Sequence, residues 1–256
     1  MACFGIEGID DFSRFREFGP QGAEDQSDGY FVWDITGGLD DKLREGGHTR
    51  RFYNFNDWCW EVDLRDASMG GEGKDHEYAD GVDLFFICTH GNCDSNGRGW
   101  LQYNIKRNEW QSHSSTWRLG NNFDCEWLLI YGCKLVDRNR IIKYWDTFQG
   151  LHEICTAWDT MWGWFSTDEC GRDVGDNLID GDSVSDSWID GVSDWFLDNH
   201  PIVIAAETRD AFDSDNESVI WSETTMNNDH FWGHGFTVND VTPSVKFMLS
   251  YRWAEG

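Results

Sequence analysis

The chain has 256 residues, with 47 Asp and Glu against 20 Lys and Arg and a formal net charge of −27 at pH 7. So acidic a composition argues against nucleic acid or an anionic membrane as partner, because both are held by clustered Lys and Arg. It also lacks any apolar run near the roughly 20 residues of a membrane-spanning helix, and its length suits a single α/β domain over residues 1 to 256 with one substantial core.

In chain order, Phe4 to Ile9 reads as a short strand. Ser27 and Asp28 offer a cap to a helix over residues 29 to 45, weakened by Gly37 and Gly38. Residues 49 to 64 are aromatic and partly alternating, which predicts a strand or hairpin, and 67 to 80 a polar loop. Residues 82 to 89 form an apolar run without alternation, the habit of a strand buried on both faces of a parallel sheet. A turn-rich loop over 91 to 97 and a β-hairpin insertion over 99 to 118 follow. Residues 127 to 132 are a second such run, and Asp137 caps a predicted crossover helix through Ile141, Tyr144, Trp145 and Phe148 up to Gly150. A third strand is expected over 150 to 154. In the acidic stretch 166 to 200, Ser183 or Ser185 caps a helix with Trp188, Ile189, Val192, Trp195 and Phe196 on one face. Strands are predicted over 201 to 206 and 218 to 221, and an edge strand over 247 to 253.

Two of these runs end on reactive side chains: the first leads into His90-Gly91, the second into Gly132-Cys133. Ligands of parallel sheets sit at the carboxyl ends of the strands. If the two strands are neighbours, an imidazole and a thiol emerge at one edge, where one can take the other's proton. A buried thiol and an ordinary turn histidine are the alternative.

The pattern Thr89-His90-Gly91-Asn92 followed by Tyr131-Gly132-Cys133-Lys134 resembles the caspase-hemoglobinase fold shared by legumains, gingipains, clostripains, separases and metacaspases. The likeness spans about residues 78 to 160. It extends to an uncharacterised group of domains of this fold with a Trp-x-x-Phe-x-Gly-Leu-His segment, here Trp145 to His152. The resemblance implies a mostly parallel α/β sheet flanked by helices and a cysteine endopeptidase, with Cys133 as nucleophile, His90 as base, and the backbone N–H groups of Gly91 and Cys133 as oxyanion hole. Lys134-Leu135 after the thiol carries no specificity motif.

Around that dyad, Trp145, Trp158, Trp162 and Trp164 could line a cleft, and Asp83 and Asp159 could select a substrate with Arg or Lys at the cleavage position. His152 is expected in the core, and His230 and His234 in a surface loop. Eight Cys without CxxC spacing indicate neither disulfide framework nor zinc ribbon. No cofactor is expected; Asp213 to Glu217 resembles the start of a calcium loop without its required Gly and distal Glu. The expected partner is a peptide or protein substrate, with homo-oligomerisation open. The start Met1 to Gly5 lacks the features of a secretory signal, so a cytoplasmic protein is expected. The contrasting reading is an inactive assembly protein of the same fold, self-associating through the surfaces of its 16 Trp.

Only six of the 20 basic residues are Lys, and Asp abounds, as on a salt-adapted surface. Self-repulsion at this charge is relieved by salt within a Debye length of about 8 Å at physiological strength. The melting temperature is therefore expected to rise from low to molar salt, and a flat or falling curve in calorimetry would remove the halophilic reading.

Overall fold

The computed structural model describes residues 1–20, 31–121, 125–162, 167–193 and 198–255. Its elements are β1 (Cys3–Gly8), α1 (Ser13–Phe18), α2 (Val32–Glu45), β2 (Thr49–Phe55), β3 (Leu84–Cys88), β4 (Gly91–Cys93), β5 (Gly99–Gln102), β6 (Gln111–His113), β7 (Trp127–Tyr131), β8 (Glu153–Ala157), α3 (Thr167–Asp180), α4 (Val184–Val192), β9 (Pro201–Glu207), β10 (Phe212–Asp213), β11 (Ser218–Val219), α5 (Thr225–Asn228) and β12 (Met248–Trp253). Seven strands make one sheet in the order β12-β9-β8-β7-β3-β1-β2. From β2 to β8 the neighbours are parallel, while β9 and β12 join antiparallel. The chain is thus a mixed α/β protein on a mostly parallel sheet.

Strand pleating divides the apolar runs between two cores. On one face Leu84, Phe86, Leu129 and Tyr131 pack against Leu39 and Leu43 of α2, Val174 and Leu178 of α3, and Trp188 of α4. The other face carries Phe85, Ile87, Leu128 and Ile130 and is covered by Leu101, Tyr103, Trp117, Tyr144 and Phe148, which belong to irregular segments and the small antiparallel sheet β4-β5-β6. Among the described residues, the long helices therefore flank one face. Helix α3 meets α2 closely enough that a Cβ on Gly171 would overlap the Ile35 carbonyl, so that position admits only Gly.

Several expectations shift. Helix α2 runs through Gly37 and Gly38, because burial of Val32, Ile35, Leu39 and Leu43 outweighs their poor propensity. The proposed cap at Ser27 and Asp28 lies outside the described residues, as do Trp164, Trp195 and Phe196. The strand predicted to Leu64 stops at Phe55, and 3-10 turns at Asn56–Trp58 and Glu61–Leu64 follow. There Asp63 Oδ2 accepts from Trp60 N at 2.8 Å, a side-chain bond that competes with strand pairing. The crossover over Arg138–Thr147 is 3-10 rather than α. Asp137 does cap it, accepting from Asn139 N at 2.9 Å, but Arg140 leaves helical geometry. Part of the predicted 91 to 97 loop is strand β4, which turns the hairpin into a three-stranded sheet. Helix α3 was not foreseen. The run predicted at 218 to 221 contributes only the two residues of β11, paired with β10 outside the main sheet.

The turn between β5 and β6 is docked on one buried carboxylate. Glu61, fully buried, accepts from the backbone N–H groups of Arg107 (3.1 Å), Asn108 and Glu109 (2.9 Å). Converging N–H donors of this kind substitute for the hydration the carboxylate loses. Glu61→Ala is expected to lower the unfolding free energy by about 2 to 3 kcal/mol, read from urea denaturation; a loss below 0.5 kcal/mol would show that the turn holds itself.

Candidate functional site

The pairing of β3 with β7 runs from Leu84 opposite Trp127 to Cys88 opposite Tyr131, and Thr89 N extends it by donating to Tyr131 O at 3.2 Å. His90 and Cys133 each stand two residues beyond that last pair, at the carboxyl edge of the sheet. Their backbones leave the sheet in contact. A Cβ on Gly91 would lie 2.5 Å from Leu135 Cδ1 and 3.1 Å from Cys133 O, and one on Gly132 would lie 3.0 Å from Thr89 O. Side chains at those two positions would force the exit segments apart.

The Cys133 sulfur, half-buried, is clasped by the backbone of one residue: Met161 N donates to Sγ, and Sγ donates to Met161 O, both at 3.4 Å. Lys134, in the left-handed region at φ 51°, turns the chain so that its N–H reaches Asp159 O at 2.9 Å and its ammonium Asp159 Oδ1 at 3.2 Å. The strap at Met161 and Trp162 is tied down further: Trp162 N donates to Asn199 Oδ1 at 2.7 Å and Tyr131 Oη to Trp162 O at 2.8 Å. Burial pushes the Cys133 thiol above its ordinary range. The Met161 N–H and the Lys134 charge pull it down and Asp159 pushes it up, leaving a net rise. At neutral pH the resting sulfur is a thiol. His90, also half-buried, packs its ring 4.8 Å from Phe12, a member of the core on the helix-poor face.

A third residue shares the row. β1 pairs with β3 up to Gly8 opposite Cys88, and Ile9 N donates to Cys88 O at 3.0 Å, which sets Asp10 level with His90. Asp10, His90 and Cys133 thus stand two residues past one line of the sheet. Asp10 Oδ1 accepts from Asn56 Nδ2 at 2.6 Å, and Asn56 Oδ1 accepts from the backbone N–H of Asp10 and Asp11, each at 3.0 Å. Asn56 adopts φ 50°, an uncommon backbone conformation held here by those bonds. The sequence carried a signal for Asp10, an apolar strand ending in a polar residue, but the run is short and interrupted by Glu7 and Gly8.

A family model described as a domain of unknown function (DUF6345) matches residues 24–254. The chain belongs to this family. No curated protein matches it.

In this DUF6345 domain the other expected site residues disperse. Asp83 precedes β3, where it accepts from Cys3 N, so it lies at the opposite edge, about 20 Å from His90 at the rise of an extended strand. Trp158 packs on the helix-poor face, the side on which Phe12 meets the His90 ring, whereas Cys133 joins the helix-side core. Trp158 carries the Arg138 guanidinium at 3.6 Å and meets His200 edge-on at 4.8 Å. Asp159, already paired with Lys134, acts on the thiol through its charge, and Trp162 follows the Met161 that clasps the sulfur. His230 and His234 gather at the amino edge: His230 Nδ1 donates to Gly181 O at 3.0 Å, and His234 Nε2 meets His48 Nε2 at 2.9 Å. The calcium-like segment is a tight turn in which Asp213 Oδ1 accepts from Asp215 N at 2.9 Å. Among the described residues no three His, Cys, Asp or Glu side chains are arranged to hold a metal ion, and no helix is long and apolar enough to cross a membrane.

His152 is a fully buried residue at the amino edge of the DUF6345 sheet, as its core reading required. Its Nδ1 bonds Asp229 Oδ2 at 2.9 Å and its Nε2 faces Asp240 Oδ1 at 3.5 Å, while Trp127 Nε1 donates to the same Asp229 oxygen at 2.7 Å. Desolvation alone would depress this imidazole, but the hydrogen bonds to Asp229 and Asp240 and the charges of Asp229 and Glu126 reverse the sign and push it up to about 10. A raised pKa means that the folded state holds a proton the unfolded chain releases. This stabilisation is complete below pH 6.5 and is lost as pH rises through about 10. The stability difference between the wild type and His152→Gln, measured by denaturant unfolding across that window, is expected to shrink steadily; a difference constant with pH would show that the imidazole is neutral.

Proposed function

We propose that the chain is a cysteine endopeptidase with a caspase-hemoglobinase-like fold, with Cys133 as nucleophile and His90 as general base. The observation that carries this reading is the row Asp10, His90, Cys133, delivered to one sheet edge by three parallel strands in register. A base between a carboxylate and a nucleophile is the arrangement that activates a weak nucleophile.

Because burial keeps the sulfur protonated at rest, His90 takes the thiol proton as Sγ attacks the scissile carbonyl, rather than waiting beside a thiolate. The carbonyl oxygen gains the negative charge and accepts from the backbone N–H groups of Gly91 and Cys133. The imidazolium returns its proton to the leaving amine, and water then hydrolyses the thioester. Asp10 orients the imidazole from its far side. An extended peptide replaces the Met161 backbone at the sulfur. Basic residues at the cleavage position are the proposed preference, with Asp159 exchanging Lys134 for the substrate cation; Asp83 lies too far away to take part.

An Arg-linked fluorogenic peptide tests this. Wild type is expected to release the reporter, with at least about a 1,000-fold loss in Cys133→Ala and in His90→Ala and about 10- to 100-fold in Asp10→Asn. Release that survives Cys133→Ala discards the mechanism. So does an inert wild type with reporters carrying basic, acidic and neutral residues at the cleavage position.

A further inference from the structure

The two edges of the sheet are finished differently. At one end, β2 exposes Thr49, Arg50 and Arg51 in succession, and its pairing with β1 slips between Phe4 and Gly5. Charge and irregularity of this kind keep an edge from pairing with another chain. At the other end, β12 pairs with β9 over six residues without a register shift. Among the described residues nothing pairs with its outer side.

That outer side is apolar. Tyr251 and Trp253 point to one face, 44% and 39% exposed, in line with Leu249, and Phe247 just before the strand is 39% exposed. On the flank, Ile220 and Trp221 are exposed as well. The backbone is free in the same direction. Ala254 N donates to Pro201 O at 3.2 Å, so by antiparallel alternation Arg252, Ser250 and Met248 bond toward β9, and Leu249, Tyr251 and Trp253 present N–H and C=O outward.

Basic residues gather around this edge in a chain that has few. Arg138 lies 4.2 Å over Trp253, Arg209 4.9 Å over Phe247, and Arg252, which also pairs with Asp186, 5.8 Å over Trp221. Two copies of a chain of charge −27 repel least where these cations stand.

We propose that β12 is a self-association edge, at which a second copy of this chain adds its own β12 antiparallel across a two-fold axis and makes one continuous sheet. With the axis at Ser250, Leu249 faces the partner's Tyr251 and Phe247 the partner's Trp253, an apolar pairing on one side of the ribbon. The same register sets Arg252 opposite the partner's Met248 and keeps the two guanidinium groups apart. One patch meets its own copy, as an isologous interface requires. The proposal is independent of the peptidase reading.

Sedimentation velocity of the full chain from low to molar salt decides it. Wild type is expected to dimerise, more tightly as salt screens the net charge. Tyr251→Lys is expected to weaken dimerisation at least tenfold with an unchanged melting temperature and circular dichroism. Tyr251→Pro, which removes an outward N–H and no bond to β9, gives the same loss should the Lys variant fold poorly. Cys133→Ala keeps the dimer, separating this interface from the catalytic proposal. A wild type monomeric at every salt concentration, or association that both Tyr251 variants leave intact, overturns it.

Discussion

Parallel pairing of β1, β3 and β7 is the constraint from which the candidate site follows. A parallel sheet brings the same end of every strand to the same edge, so Asp10, His90 and Cys133, which follow separate runs, stand level there without any of the three being close in sequence. The glycines beside them serve that arrangement. Gly91 and Gly132 leave room for the exit segments to touch, and Lys134 turns the chain back along the end of β8 as soon as the thiol is presented.

The thiol itself is held in a compromise. Enclosure by Met161 and the core beneath raises its pKa, while the Met161 N–H and Lys134 partly offset the rise. A sulfur so placed is inert toward casual oxidation, since the thiolate is the reactive form, and it needs an adjacent base to become a nucleophile.

Burial also changes the meaning of the formal charge. Glu7, Glu126 and Glu153 lie in the interior with carboxylate oxygens that find no partner among the described residues, and Asp63 likewise leaves one oxygen unpaired. Desolvation raises all four, Asp63 to about 7 and Glu126 to about 8. Each is thereby shifted toward its neutral form, so the folded protein carries less negative charge than the −27 that composition assigns. Glu61, Asp80, Glu207 and Asp229 are buried as well, and salt acts on the acids that remain exposed.

Much of the fold was legible because buried parallel strands are continuous apolar runs: β3, β7 and β9 stand out from composition alone, and β12 as an edge strand from its mixed pattern. The irregular cover was not. The 3-10 path from Arg138 to Thr147 has a helical spacing of apolar residues, and only packing against the sheet selects the tighter turn. Residues 91 to 93 look like loop because Gly-Asn-Cys has little strand propensity, yet pairing with Leu101 and Trp100 makes them β4. The acidic composition likewise hid α3, whose glycines are explained only by α2 lying against them.

Sequence by itself determined the strand ends at which an imidazole and a thiol would appear, since the run lengths and the residues that stop them are local properties. Only the tertiary structure decided their company. Strand order places Asp10 beside His90 and sends Asp83 to the far edge, and pleat parity puts Trp158 on the helix-poor face. Which residues become neighbours across strands is a matter of register and side, set by the burial of the whole apolar pattern rather than by any short stretch of it.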